Sequence, residues 1–208
     1  MTSIRNIGAD VPPPAGADDR YLDAAREAIL AVGWSRTTLT DIARRAGVSR
    51  MTLYRRWPDT RALLSDLMTR EWSRVVDDAV PTTPPPASGI RAGLVDAVVG
   101  TVRALREDPL LRRVLEVDPE VLLPYLLHRR GRTQDALAHD LAAAVAAGQH
   151  DGSVRAGDPV VLARSVLLAA HGFTLSTQTM LDQEHADLTA YDAELATLVD
   201  RFLAPAPS

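Results

Sequence analysis

Two residue types are missing altogether: the 208 residues contain no cysteine and no lysine. Without cysteine there is no disulfide, no thiol nucleophile and no thiolate zinc site. Without lysine there is no Schiff base, no pyridoxal anchor and no lysine-bearing phosphate loop. Aromatic residues are also scarce, at 4%. The five histidines, His128, His139, His150, His171 and His185, have no metal-ligand spacing, so no metal site and no cofactor are expected. No Gly-x-Ser-x-Gly elbow, glycine-rich phosphate loop or His-Glu-x-x-His string occurs, and enzymatic activity finds no positive support. The first 17 residues hold one arginine, no apolar run and Pro12-Pro13-Pro14, unlike a signal peptide. The longest uncharged run, Ser165–Leu181, is too short and too polar for a membrane span. A cytoplasmic protein without a membrane partner is the expectation.

What remains is an ordinary globular composition, 46% apolar and 24% charged, with a net charge of −4. All 23 basic residues are arginine, whose planar fork bonds phosphates and base edges bidentately. They are unevenly placed. Residues 20–74 hold 11 arginines against six acids, whereas residues 75–208 hold 11 against 18, a net of −7. Residues 36–61 alone carry seven arginines and two acids. A basic head precedes an acidic body.

The periodicity is helical throughout, and the predicted fold class is all-α. Residues 1–17 read as a disordered tail. Tyr21, Leu22, Ala25, Ala28, Ile29 and Val32 form one apolar stripe, closed by Gly33. Thr38 and Asp41 suggest a capping box for a second helix, with Ile42, Ala43 and Ala46 inward. Gly47 permits a tight left-handed turn, Ser49 caps a third helix reaching about Trp57, and a fourth begins near Asp59. Trp34 and Trp57 are assigned to the core. Residues 81–88, rich in proline, read as a linker. Beyond it the predicted helices are Ile90–Arg106, Leu110–Val117, one long helix from Pro119 through Ala147, Pro159–Leu181 and Asp187–Leu203, with a turn over Gly148–Gly157. The domains are therefore 18–78, with a helix-turn-helix at 38–57, and 87–204.

Two short helices joined by a glycine turn can set the second in a DNA major groove. With Leu53 and Trp57 inward, the opposite face of that helix carries Arg50, Met51, Tyr54 and Arg55, flanked by Thr52 and Arg56. Arginine can read guanine, and methionine or threonine can touch the thymine methyl. Tyr54, Arg44 and the helix start at Ser49 suit phosphate, and the hydroxyls of Thr38 and Thr40 complete the candidate surface. In the body, Thr101, Tyr125, His171, Thr174 and Gln178 are polar groups that either line an effector pocket or are satisfied core groups. Leu167, Leu168, Phe173, Leu195, Leu198, Val199 and Phe202 are the candidates for a dimer seam on the last two helices. The cluster Arg129-Arg130-Gly131-Arg132 reads as a solvated face or a site of intersubunit ion pairs.

The run Thr37-Thr38-Leu39-Thr40-Asp41-Ile42-Ala43, followed by Gly47-Val48-Ser49 and Thr52-Leu53-Tyr54 and then the aromatic Trp57, resembles the DNA-binding signature of the TetR family of bacterial regulators. The resemblance covers roughly residues 20–75. It implies a homodimer on double-stranded operator DNA, most often a repressor, released when a small-molecule effector in the body changes the spacing of the recognition helices. Many members place a phosphate-clamping lysine where this chain has Thr60, followed by Arg61, so Arg61 joins the candidate contacts. The Arg55-Arg56 pair, where many members carry an aromatic or histidine, implies a different operator. The alternative is a helical small-molecule or protein-interaction module with a vestigial DNA-binding head.

Overall fold

A computed structural model describes residues 16–79, 89–182 and 187–206. The regular elements among these residues are helices: α1 (Ala17–Val32), α2 (Leu39–Ala46), α3 (Arg50–Arg56), α4 (Thr60–Ala79), α5 (Ile90–Glu107), α6 (Pro109–Val117), α7 (Leu123–Leu127), α8 (Arg132–His150), α9 (Pro159–Leu175) and α10 (Leu188–Leu203). The protein is all-α, as its periodicity predicts. The chain forms two compact units, Met1–Asp66 and Leu67–Ser208. This division falls inside α4, not in the proline-rich segment expected to separate domains at 18–78 and 87–204. Most of the expected tail, residues 1–15, and the segment 80–88 lie outside the described residues.

In the first unit the stripe of α1 is buried at Tyr21, Leu22, Ala25, Ala28 and Ile29; α1 packs on α2, which buries Leu39, Ile42 and Ala43, and α2 packs on α3, which buries Leu53. Trp57 is 3% exposed, meets Tyr21 edge-on at 6.1 Å and donates its indole N–H to Asp66 at 2.7 Å. Trp34, assigned to the same core, is only half-buried.

In the second unit α5 packs on α8, α9 and α10, and α8 pairs with α9. Val102, Val145, Val166, Leu195, Val199 and Leu203 make its core. The turn after α8 caps α5: Asp151 accepts from Ile90 N–H at 3.0 Å and Ser153 Oγ from Arg91 N–H at 3.2 Å. Gly148 sits where α8 meets that turn, and a Cβ there would fall 2.5 Å from Val154 Cγ2.

Three helix boundaries differ from expectation. The single helix expected from Pro119 through Ala147 is a 3-10 turn, Pro119–Leu122, then α7 and α8. Pro124 lacks an N–H, and its ring crowds the carbonyl four residues back. The amides of His128 and Arg129 both close on Pro124 O, and α8 restarts where Gln134 Oε1 accepts the Gly131 N–H at 2.8 Å. α8 then runs to His150, into the expected turn. Finally, α9 ends at Leu175, short of Leu181. There Thr174 and Thr177 hydroxyls donate to the carbonyls of Ala170 and Phe173, competing with the backbone ladder, and a 3-10 turn, Thr177–Met180, follows.

Candidate nucleic-acid interface

The α2–turn–α3 geometry is set by local chemistry. Thr38 Oγ1 accepts the Asp41 N–H at 3.2 Å and caps α2. The expected capping box has a different second half. The Asp41 carboxylate takes Arg44 at 2.5 Å and Arg45 at 3.0 Å. Those two hydrogen bonds hold it below the usual 3.8, Arg44 contributing most. Gly47 has φ 66° in the left-handed region, and the amide of Val48 closes on Ala43 O at 3.0 Å. Ser49 Oγ accepts the Thr52 N–H at 3.1 Å and contacts the Thr52 hydroxyl at 2.9 Å.

Because a Cβ on Gly47 would meet no atom within 4 Å, Gly47→Ala isolates the cost of the backbone conformation. We expect a loss of about 1–2 kcal/mol, read as a lower midpoint in urea denaturation. An unchanged midpoint would show that the turn tolerates a side chain.

Leu53 is fully buried, and this fixes which side of α3 faces outward. Arg50, Met51, Tyr54, Arg55 and Arg56 are exposed, Met51 at 68%, and Thr52 is half-buried. No acid lies on α3. The Arg50 guanidinium stacks over the Tyr54 ring at 4.9 Å and donates to its hydroxyl at 3.4 Å, so the two form one surface feature. Thr38, Thr40, Arg44, Ser49 and Arg61 are exposed as well, and Asp59 caps the start of α4 by accepting the Ala62 N–H at 2.7 Å.

Not every arginine of the basic head is equally available. Arg56 pairs with Asp18 at 2.9 Å and covers Trp57, tying the end of α3 to the start of α1. Arg44 shares Asp41 with Arg45. Arg70 and Arg74, counted with the head by sequence, are held by Glu71 in the second unit. Arg56–Asp18 spans 38 residues and had no sequence signal. The Arg44–Asp41 and Arg45–Asp41 pairs were readable from their i, i+3 and i, i+4 spacing.

In the body a groove of about 650 Å³ lies between α7, α8 and α9. Of the five candidate pocket residues it brings together Tyr125 and His171. Thr101 is half-buried on α5, Gln178 is exposed, and Thr174 spends its hydroxyl on Ala170 O. None of these three lines the groove. The seam candidates also separate. Leu195 and Val199 are fully buried in the protomer's own core, with Phe173 and Phe202 packed against it. Leu168 is 72% exposed and Leu198 46%, and Leu168 lines the groove together with the half-buried Leu167.

Comparison with known proteins bears on both units. The pattern of Bacterial regulatory proteins, tetR family, matches residues 22–67. An uncharacterized HTH-type transcriptional regulator of Mycobacterium tuberculosis (strain ATCC 25618 / H37Rv) is 36% identical over 203 residues, covering 98% of this chain and 100% of the relative. Among solved structures, the R. erythropolis transcriptional repressor QsdR from TetR family superposes with a TM-score of 0.65 at 18% identity, covering 94% of this chain and 99% of that one. The regulator FadR from Bacillus subtilis, in complex with stearoyl-CoA, gives 0.64 at 18% identity, covering 89% and 98%.

Proposed function

The chain belongs to the TetR family of bacterial transcriptional regulators, and from that premise we propose that it is a homodimeric, effector-released repressor of its operator. The observation that carries the DNA-binding part is α3 itself. It is anchored by Leu53, capped by Ser49, free of acids, and presents Arg50 on Tyr54 beside Met51. In a two-fold dimer the recognition helices would enter successive major grooves, with half-sites ~34–36 Å apart or a multiple of that spacing.

The protein would act by binding and not by catalysis, in the cytoplasm where its operator lies; among the described residues no helix is long and apolar enough to cross a membrane. Release follows from linkage. An effector that binds the DNA-incompetent state more tightly weakens operator binding, and DNA weakens effector binding by the same factor. A structural neighbour solved with stearoyl-CoA supports a ligand-responsive body.

The test begins with selection of bound duplexes from genomic fragments, which yields an operator. On that operator Arg50→Ala should cost ~1–3 kcal/mol and relax preference at one base position. Uniform weakening across operator variants would make Arg50 a phosphate contact instead. Tyr54→Phe serves as the control and should weaken binding without altering preference.

For the dimer, the exposed Leu168 and Leu198 are the seam residues of choice. Placing a charge in an apolar seam leaves it desolvated and unpaired, so Leu198→Glu should shift the protein to monomers in sedimentation and abolish operator binding. A variant that remains dimeric would move the seam elsewhere.

A further inference from the structure

Three arginines and four leucines meet in the groove between α7, α8 and α9, on a body whose net charge is strongly negative. No acidic side chain lines it. The residues sort by depth. Ala138 is buried, and Tyr125, Gln134, Leu167 and His171 are half-buried, forming the floor. Around the rim stand the exposed Arg129, Arg130 and Arg164, with exposed leucines between them. Arg130 is paired with Asp135 at 2.5 Å, and Arg129 stacks on Tyr125 at 4.9 Å.

The floor is uncharged. Burial pushes His171 below its usual 6.5, so its ring is neutral at pH 7. Gln134 fixes how that ring is used. Its Oε1 accepts the Gly131 N–H, which turns its amide nitrogen toward His171 Nε2 at 3.4 Å. Nε2 is then the acceptor, and the ring proton sits on Nδ1. A groove of about 650 Å³ with an uncharged floor and a cationic rim is the size of a small-molecule site and the charge complement of one kind of ligand.

We propose that this groove is the effector site, and that its ligand is an amphipathic anion, a hydrocarbon chain ending in an ionised carboxylate. The proposal rests on the ligand-responsive reading above. The chain would lie over Leu167 and Ala138, and the carboxylate would meet Arg129 and Arg164 at the rim. α9 supplies Arg164, Leu167, Leu168 and His171 to the groove, and Leu168, on its rim, is also a proposed seam residue. Occupancy would thus bear on the helix at which two copies join.

The test uses full-length protein and two probes of equal chain length, decanoate and uncharged decanol, in isothermal titration calorimetry. Decanoate should saturate one site per protomer, with decanol about tenfold weaker or more, the scale of a hydrogen bond to a charged group. Arg129→Ala and Arg164→Ala should each weaken decanoate about tenfold and leave decanol unchanged. The first lies outside α9, so it remains informative if the second disturbs dimerisation. Decanoate should also weaken operator binding by the wild-type protein. Equal affinity for the two probes, or arginine variants that bind decanoate normally, would overturn the proposal. So would decanoate binding that leaves operator affinity unchanged, or a groove closed by a second copy, seen as dimer loss in Leu127→Glu with no decanoate binding. The underlying reading is separable: operator binding without decanoate binding sinks only the groove assignment, whereas failure to select any duplex sinks the regulator.

Discussion

Replacing Asp192 by alanine should destabilise the protein by about 3–5 kcal/mol. Asp192 lies on α10 and is 6% exposed; Arg106, at the end of α5, is 8% exposed. The two are hydrogen-bonded and ion-paired, and Arg103 reaches the other carboxylate oxygen at 3.0 Å. Arg106 has nothing in reserve: among the described residues its Nε and Nη1 have no hydrogen-bond partner. Removing the carboxylate therefore leaves a buried guanidinium uncompensated in a medium that solvates it poorly. Against a typical total of ~5–15 kcal/mol, that loss is a large share of the stability. The double variant Arg106→Met/Asp192→Leu distinguishes pairing from packing. Replacing both partners with apolar groups removes the desolvation penalty along with the attraction, so most of the stability should return. Urea denaturation of both variants checks this. A single variant that loses under 1 kcal/mol would mean that water reaches Arg106 in the folded protein.

Operator binding should fall by roughly 10³–10⁵ between 50 and 200 mM salt if the dimer neutralises six to ten phosphates. That count needs three to five contacts per protomer. Residues 36–61 carry seven arginines. Arg56 is tied to Asp18 and Arg44 shares Asp41 with Arg45, so the effective number should be smaller than seven. The slope of log affinity against log salt measures it, because each phosphate contact releases counterions from the duplex. Arg61, exposed in the first turn of α4 and next to Thr60, should account for about one unit of slope per protomer. Arg61→Ala then lowers the slope by about two in the dimer while leaving sequence preference intact. An unchanged slope would mean that nothing replaces the family's usual lysine at Thr60. Arg70→Ala should leave the slope unaltered, since Glu71 holds Arg70 at 2.7 Å.

Much of the head was readable from order along the chain. A cap such as Thr38 or Ser49, a left-handed turn at Gly47 and an apolar stripe on α1 each depend on residues within a few positions of one another. Their physics is local and leaves a linear trace. The same locality explains the errors in the body. A proline inside an apolar run and threonines near a helix end compete with the backbone ladder, and spacing alone did not weigh that competition at Pro124 or Thr174. The pocket candidates fared differently. His171 and Tyr125 meet in one groove although 46 positions separate them, while Thr174, three residues from His171, does not line it. Helical phase and tertiary packing, not proximity in sequence, govern which polar groups share a cavity.

The absence of lysine keeps its meaning: every cationic side chain here is a guanidinium. Sequence by itself determined the helical class, the helix-turn-helix, the outward face of α3 and the division into a basic head and an acidic body, because periodicity, capping and charge count are properties of the chain. Only the tertiary structure decided what each arginine does. It tied Arg56 to Asp18, buried Arg106 against Asp192, assigned Leu195 and Val199 to the protomer's own core, and gathered Arg129, Arg130 and Arg164 around one groove. A charge's availability depends on the partner and the dielectric that folding brings beside it, and residues 38 or 86 positions apart meet only once the chain has folded.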